Sequence, residues 1–427
     1  MKVLVIGGGG REHALVWALT KSTRVTEVVC APGNGGIAAL ARCVTVDGSD
    51  LAAMISVVEQ EQPGLTIVGP ELPLSLGLVD ELQQRGFRVF GPTKAAAQLE
   101  SSKAFAKQFM QRHGIPTAAY AVCHSIEQVR EELKRFAPAV VVKADGLAGG
   151  KGVVLCETHE QAIVAAEEMF SGVLLGSVQT ELVLEEFLEG EELSFFALCD
   201  GEHAIPMAAA QDHKRVGEGD IGPNTGGMGA YSTDALMSAE MRAWLTREVA
   251  QKVVDGMRAE GTPFTGILFC GIMMTASEPM VLEFNTRFGD PETQAMLMRM
   301  ETDVLELFEA VIDGTADRLE VMMKPGASVC VIAASGGYPG KYPSGKVIHG
   351  LNEVGPAANG FVFHSGTALK DGAMVTAGGR VLGITAMSSE GLEAALAKAY
   401  AMVAKISFDG MQFRRDIAWR ALAKERG

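Results

Sequence analysis

One stretch of this sequence combines residue types and spacing that could hold a metal–phosphate complex: Val281-Leu282-Glu283-Phe284-Asn285-Thr286-Arg287-Phe288-Gly289-Asp290-Pro291-Glu292. It begins with the pattern of a β-strand, whose side chains alternate between two faces. Leu282, Phe284 and Phe288 then point into a core, while Glu283, Asn285 and Arg287 share the opposite face. A carboxylate and an amide oxygen two residues apart are hard donors of the kind Mg²⁺ takes, with nucleotide phosphates completing the shell. Arg287 can reach an anion held by that metal. Asp290 and Pro291 read as the N-cap and first residue of a helix, an anion-friendly place for the strand to end. An amphipathic strand with a merely solvated polar face is the alternative.

The elements that would position this stretch follow from the start of the chain. Lys2 to Ile6 form an apolar strand, succeeded by Gly7-Gly8-Gly9-Gly10-Arg11-Glu12-His13 and the helical Ala14 to Leu19. Strand, glycine turn and helix open a doubly wound α/β domain, with bare N–H groups around Gly9 and Gly10 at the helix start. The dinucleotide fingerprint G-x-G-x-x-G fails, because its last glycine is Glu12 read from Gly7 and His13 read from Gly8. The second strand, Glu27 to Cys30, runs into Ala31-Pro32-Gly33-Asn34-Gly35-Gly36 without the acid that would hold a ribose hydroxyl. A phosphate-bearing ligand fits better than NAD. Leu65 to Val68 is a buried strand with Gly69-Pro70-Glu71 at its carboxyl end, where open α/β sheets place ligands. Glu71 is either a solvated turn residue or an acceptor for sugar hydroxyls. The first domain ends near Leu99.

Lys103 starts a helix that runs to His113 and stops at Gly114-Ile115-Pro116. Val140 to Lys143 is a strand with a lysine at its end, and Val153 to Leu155 another. A Walker A loop between them would need glycine at 145 and Ser or Thr at 152, where the chain has Asp145 and Gly152. The stretch is instead a hairpin-like flap that could fold over phosphates, with backbone N–H groups and Lys151 as donors; a mobile glycine turn is the plainer alternative. Leu182 to Leu188 is a strand and Glu189-Gly190-Glu191-Glu192 a turn after it, either a solvated hairpin or a frame for an adenine edge and ribose hydroxyls. Residues 212–231 are irregular and glycine-rich, and a structureless stretch of that length inside a compact domain is usually functional. Its Lys214 and Arg215 could hold a phosphate or carboxylate, and Gly226-Gly227 permits close backbone approach; a disordered surface loop is the alternative. An amphipathic helix over 238–258, a strand over 266–274 and a helix over 303–313 complete this part. From about Pro325 the pattern changes to strands at 327–334, 361–364 and 379–386, a long helix over 389–406 and a short one over 414–424, a small α+β domain.

At 427 residues the chain is long enough for about three domains. Its 48% hydrophobic and 21% charged content describes a soluble globular protein. A formal charge of −15 argues against a nucleic-acid surface or general membrane affinity, although local clusters such as His213-Lys214-Arg215 can bind phosphate. Seven scattered cysteines without metal-type spacing read as reduced core residues of a cytoplasmic protein. The chain opens on a strand rather than a signal peptide, and no apolar run approaches the ~20 residues of a spanning helix.

Lys103, Lys143, the 145–152 flap, the 185–192 segment and the Glu283/Asn285 pair occur in the order of an ATP-grasp ligase. Gly91-Pro92-Thr93, Lys143-Ala144-Asp145-Gly146-Leu147-Ala148, Asp212-His213-Lys214-Arg215, Gly222 to Tyr231 and Arg287-Phe288-Gly289-Asp290-Pro291-Glu292-Thr293-Gln294 narrow the match. With these the chain resembles the phosphoribosylamine–glycine ligases, or glycinamide ribonucleotide synthetases, from the opening glycines to Arg414-Arg415-Asp416-Ile417. That family usually continues Gly-Tyr where this chain has Ala418-Trp419.

The resemblance implies an N-terminal doubly wound α/β domain over 1–100, an ATP-grasp domain over 101–324 with a mobile lid at about 120–190, and a C-terminal α+β domain over 325–427. It implies ATP-dependent ligation of glycine to 5-phosphoribosylamine through a glycyl phosphate, with another carboxylate–amine pair as the alternative. Mg²⁺ or Mn²⁺ would sit on Glu283 and Asn285; the second metal carboxylate that many ATP-grasp enzymes carry is missing from Phe269-Cys270-Gly271-Ile272-Met273. Lys103, Lys143 and Lys151 would surround the phosphates, Glu185, Glu186, Phe187 and Leu188 frame the adenine, and Glu192 hold the ribose. Arg287, Lys214 and Lys151 would act in catalysis. Asp212, Lys214, Asn224, Thr225, Gly226, Gly227 and Arg287 would orient the substrate carboxylate, and Gly9, Gly10, Asn34, Glu71, Asp290 and Pro291 would complete the substrate site. A monomer is expected.

Overall fold

The computed structural model describes residues 1–147, 152–174, 176–354 and 359–426. Five parallel strands form the opening sheet in the order Arg42–Cys43, Glu27–Pro32, Lys2–Gly7, Leu65–Val68, Val89–Phe90. Both faces are covered at the centre of the sheet, where Val3 to Ile6 and Leu65 to Val68 are buried, whereas Arg42 on the edge strand is exposed. Val3 and Val5 pack with the helix Gly10–Leu19, while Leu4 and Ile6 pack with Leu74, Leu78 and Leu82 on the other side. The strand order reverses between Lys2–Gly7 and its two neighbours, so the Gly7–Gly10 and Gly69–Glu71 loops meet at the carboxyl edge.

The middle of the chain holds two antiparallel sheets. One runs Ala204–Pro206, Glu191–Asp200, Thr265–Met274, Pro279–Asn285, and the helix Lys103–Arg112 covers it together with a long helix over 239–259. That long helix, expected as regular, contains a π-helical turn at Thr246–Ala250. The other sheet, Tyr120–Cys123, Leu182–Glu186, Val140–Ala144, Val153–Cys156, has its own core under the helices Ile126–Glu132 and His159–Phe170. Val140–Ala144 and Val153–Cys156 pair as the expected hairpin.

Three local expectations are corrected. A bulge sets Gly271 opposite Glu283 but Ile272 opposite Val281, so Leu282 is the extra residue. Val281 and Phe284 therefore fill the core, and Leu282 is only half-buried. Asp290 is not an N-cap: the next helix is Glu292–Arg299, Pro291 stands at its cap position, and the Asp290 side chain bonds elsewhere. Residues 212–231 are not irregular either. They contain the hairpin Arg215–Gly217/Ile221–Asn224, and Gly229–Thr233 is a strand of the C-terminal sheet, whose order is Gln211–Asp212, Gly229–Thr233, Ala327–Ala334, Arg380–Ser388, Gly360–His364. Helix Leu392–Val403 packs on that sheet, and the last helix, Trp419–Arg426, starts five residues later than expected.

Ala418 is buried at φ +64°, and its N–H donates to His213 Nε2 at 3.1 Å. A left-handed alanine costs about 1–2 kcal/mol, and the greater unfolded-chain freedom of glycine returns about 0.4–1 kcal/mol of that. Ala418 also packs in the C-terminal core, and losing its buried methyl costs about 0.8 kcal/mol, so Ala418→Gly should leave stability within about 0.5 kcal/mol and the melting temperature within about 1 °C of the wild type.

His13 and His364 meet where the opening helix touches the C-terminal sheet, with ring centroids 5.6 Å apart and the His364 N–H donating to His13 Nδ1 at 2.8 Å. Burial pulls His13 down to about 3 and His364 to about 4, from an ordinary value of 6.5. Both are neutral in the fold, whereas the unfolded chain protonates them below pH 6.5. Their contribution is complete above that pH and is lost as the pH falls, towards 4 for His364 and towards 3 for His13. At pH 5 the loss is about 2 kcal/mol per ring. Thermal melts should drop steeply between pH 6.5 and 4, and His13→Gln should flatten that slope.

Candidate active site

Strand register assembles one polar face. Ser194 lies opposite Gly271, Gly271 opposite Glu283, and an isolated bridge sets Ala210 opposite Ser194. Directly paired residues of antiparallel strands point to the same side, as do residues two apart on one strand. Glu192 and Ser194, Asp212, and Glu283 and Asn285 consequently share a face, with a glycine between the two acidic strands. Lys214 closes an ion pair with Glu192 across it. Ser194 Oγ donates to Glu292 Oε1 at 3.3 Å, adding a further buried acid. Burial drives the Asp212 carboxyl up to about 8 against the pull of Lys214, and also raises Glu292. Lys214 is held well above its ordinary value because Glu192 and Asp212 outweigh its burial.

Cations line the opposite wall. Ser102 caps its helix, its hydroxyl accepting from Phe105 N at 3.0 Å, and Asp145 accepts from Ala104 N and Ser102 Oγ at 3.1 Å each. The base of the flap is thus tied to the start of the Lys103 helix, and Lys103 Nζ donates to Gly146 O at 2.8 Å. Lys143 Nζ lies 2.8 Å from Glu185 Oε1 and donates to Leu282 O at 3.2 Å. The bulge therefore offers a carbonyl that brings Lys143 beside Glu283. Glu283 accepts no hydrogen bond and forms no close ion pair among the described residues. Its burial raises the carboxyl, but Lys214, Lys143, Lys103 and Arg287 outweigh that and leave it below its ordinary value.

Arg287 is gripped by acids. Its Nη2 is 2.8 Å from Glu100 Oε1 and donates to Asn285 Oδ1 at 3.0 Å, while Nε is 3.4 Å from Glu71 Oε2. Glu100 is itself fixed by Thr286 N at 2.8 Å. Burial would push Glu71 up, yet Arg287 and Arg11 bring it down to about 2. Glu100, more deeply enclosed, moves up instead.

The glycine loop differs from the bare anion site that its sequence suggests. Gly9 N donates to Glu12 Oε2 at 2.7 Å, and Arg11 N to Asp290 Oδ2 at 3.4 Å, so two internal carboxylates already face this helix start. Arg11 is 2.5 Å from Glu12 Oε1 and donates to Phe288 O at 3.1 Å. Asn34 is spent on the fold: its amide donates to Gly8 O at 2.8 Å and His364 O at 2.7 Å, while its oxygen accepts from Gly36 N and Ile37 N at 2.9 Å each. Asp290 joins the three parts of the chain, through Arg11 N, through Gln294 Nε2 at 2.8 Å and through Arg380 Nη2 at 3.3 Å. Arg380 also donates to Gly226 O, and Gly226 N to the Tyr338 hydroxyl at 3.0 Å. A Cβ on Gly227 would lie 2.5 Å from Pro291 Cδ, so the 224–227 loop is pressed against Pro291. Thr225 Oγ1 donates to Lys214 O at 2.8 Å and fixes that loop to the lysine.

The expected residues Lys103, Lys143, Glu185, Glu192, Asp212, Lys214, Glu283, Asn285 and Arg287 therefore converge, with Glu71 at the margin. Glu186 and Phe187 are exposed and Leu188 half-buried just beyond the strand that holds Glu185. Lys151 lies outside the described residues. Three participants escaped the sequence reading. Lys107 follows Lys103 by one helical turn, a spacing that could have shown it. Glu100 and Arg380 had no local signal, being brought in by other parts of the chain. Ionised, with both oxygens uncommitted and an amide oxygen two residues away, Glu283 suits a hard divalent cation.

Comparisons with known proteins agree with this architecture. Three family models match in succession: Phosphoribosylglycinamide synthetase, N domain, over residues 1–100; its ATP-grasp (A) domain over 101–293; and its C domain over 328–420. A protein of Xanthomonas campestris pv. campestris named phosphoribosylamine–glycine ligase is 49% identical over 430 residues, spanning 100% of this chain and 99% of that one. The crystal structure of a phosphoribosylamine–glycine ligase from Thermotoga maritima superposes with a TM-score of 0.85 at 34% identity, covering 98% of this chain and 100% of that one. A biotin carboxylase domain from Hydrogenobacter thermophilus shares the fold alone, at a TM-score of 0.76, 17% identity and coverage of 96% and 91%. Similarity sustained from end to end places the chain in the phosphoribosylglycinamide synthetase family.

Proposed function

We propose that the chain joins glycine to 5-phosphoribosylamine at this face, forming glycinamide ribonucleotide with the cleavage of ATP to ADP and phosphate. A carboxylate acylates poorly, so ATP first converts glycine to an acyl phosphate that the amine attacks. Positioning and charge neutralisation carry such a reaction. Lys103 and Lys143, with Lys151 from the flap, receive the phosphates; the 185–188 segment frames the adenine, and Glu192 the ribose. Arg287 and Lys214, with Asp212 and the 224–227 loop, orient the carboxylate and neutralise the acyl phosphate. Gly9, Gly10 and Glu71 line the phosphoribosyl end, with Asn34, Asp290 and Pro291 holding that wall. Mg²⁺ or Mn²⁺ on Glu283 and Asn285 would screen the phosphate charge. The functional division is 1–100, 101–324 with a lid at about 120–190, and 325–427, in a cytoplasmic monomer that engages neither nucleic acid nor membrane.

The observation that carries this reading is Lys143 anchored on the Leu282 carbonyl beside an ionised Glu283 without a close partner. The test is phosphate release with each substrate omitted in turn, using glycine labelled with ¹⁸O in its carboxylate. Release that requires all three substrates and carries label into phosphate is expected. Release without glycine, or unlabelled phosphate, would contradict it.

A further inference from the structure

Lys107 lies 2% exposed inside the protein, on the helix that carries Lys103, and the three-substrate scheme leaves it without a task. Its ammonium is 2.9 Å from Glu185 Oε2, while the other oxygen of the same carboxylate is 2.8 Å from Lys143. It also donates to Thr117 Oγ1 at 2.7 Å, and that hydroxyl donates to Val281 O at 2.6 Å. One buried acid is thus shared by two buried lysines, and that acid stands on the sheet of Leu182–Glu186 and Val140–Ala144, whereas the helix bearing Lys107 packs on the other middle sheet.

Such an arrangement is costly unless every charge is matched. Two cations and one anion leave a surplus positive charge, and its location decides what the site can do. Lys107 has no route outward, enclosed by Glu185 and Thr117. Lys143 faces Leu282 O and the neighbouring Glu283, where the triphosphate is placed. If Lys107 satisfies Glu185, Lys143 retains its charge for phosphate. Without Lys107, the full carboxylate charge falls on Lys143 and holds it back.

We infer that Lys107 is a positioning residue for nucleotide binding: by neutralising Glu185 it keeps Lys143 available to the phosphates, and through Thr117 it pins the 114–120 connection between the two middle sheets. The inference rests on the ATP reading above. Burial, opposed by Glu185, brings the Lys107 ammonium down to about 8, so the arrangement can be titrated. The charged groups facing it are Glu185, Lys143 and Glu283, with Lys103 on its own helix.

Titration of the full chain with Mg·ATP tests this. Lys107→Met should weaken ATP binding at least tenfold, with kcat at saturating ATP within threefold and the KM for glycine unchanged. The 185–188 segment meets the adenine through backbone groups, which Glu185→Gln keeps, so adding Glu185→Gln to Lys107→Met should recover most of the affinity, because the acid that captured Lys143 is now neutral. Unchanged affinity in the single variant, or no recovery in the double, would overturn the inference. If the single variant does not fold, a pH series decides. Wild-type affinity should fall as the pH rises through about 8, where Lys107 and Asp212 both lose their protons, and the fall should be markedly smaller in the double variant, which retains Asp212 alone. An equal fall in both, or none in either, would overturn it. Failure of the wild type itself to bind ATP would instead refute the functional reading.

Discussion

Arg287→Ala is expected to lower kcat by about 10²–10³ while leaving ATP affinity within about threefold, because the guanidinium is assigned to the acyl phosphate and not to the nucleotide. The structure adds a second consequence. Arg287 is the closest cation to Glu100, at 2.8 Å, so its removal leaves that buried acid without its partner, whereas Glu71, 3.4 Å from Arg287, keeps Arg11 at 4.0 Å. An uncompensated buried charge costs about 3–5 kcal/mol, and the melting temperature should fall visibly. The two effects can be parted. Glu100→Gln added to Arg287→Ala should restore much of the stability without restoring turnover. Equal losses in turnover and ATP affinity would remove Arg287 from the proposed role.

Glu283→Gln is expected to reduce kcat/KM for metal–ATP by about 10³, since a bound divalent cation supplies several kcal/mol of charge stabilisation in phosphoryl transfer. The substitution keeps the shape and removes only the charge. Glu283 has no close partner among the described residues, so the fold should change little. Electron paramagnetic resonance of Mn²⁺ added with ATP gives a readout independent of turnover: a protein-bound signal in the wild type, lost in the variant. An unaltered Mn²⁺ signal would move the metal away from this strand.

The sequence disclosed more of the fold than of the connections across it. Lys2–Gly7, Glu27–Pro32 and Leu65–Val68 of the opening sheet were legible because each is a largely apolar run leading into a glycine turn, and both features are local; the edge strand Arg42–Cys43 carries neither. Lys103, Lys143 and Glu283 were legible by type and by order along the chain. The bulge at Leu282 was not, because alternation over six residues looks the same with one extra residue until the partner strand fixes the register. Glu100 and Arg380 stayed hidden for a related reason. Each stands outside the stretch it serves and reaches Arg287 or Gly226 only through the tertiary fold. Residues 212–231 were misread as irregular since their strand pairs with Ala327–Ala334, almost a hundred positions later. Glycine composition could not reveal that partner. The loop of Gly9 and Gly10 taught the converse lesson: a familiar composition can hide two internal acids, Glu12 and Asp290, at a helix start.

Because Gly229–Thr233 is stitched to Ala327–Ala334, the central part of the molecule cannot complete itself from its own residues. A polypeptide cut short before Ala327 would leave that ribbon with one unsatisfied edge, ready to pair with a neighbouring molecule. During translation at about 5–20 residues per second, this edge would wait several seconds for its partner to leave the ribosome. The stretch bearing Lys214 thus reaches its final place only after nearly the whole protein has been made.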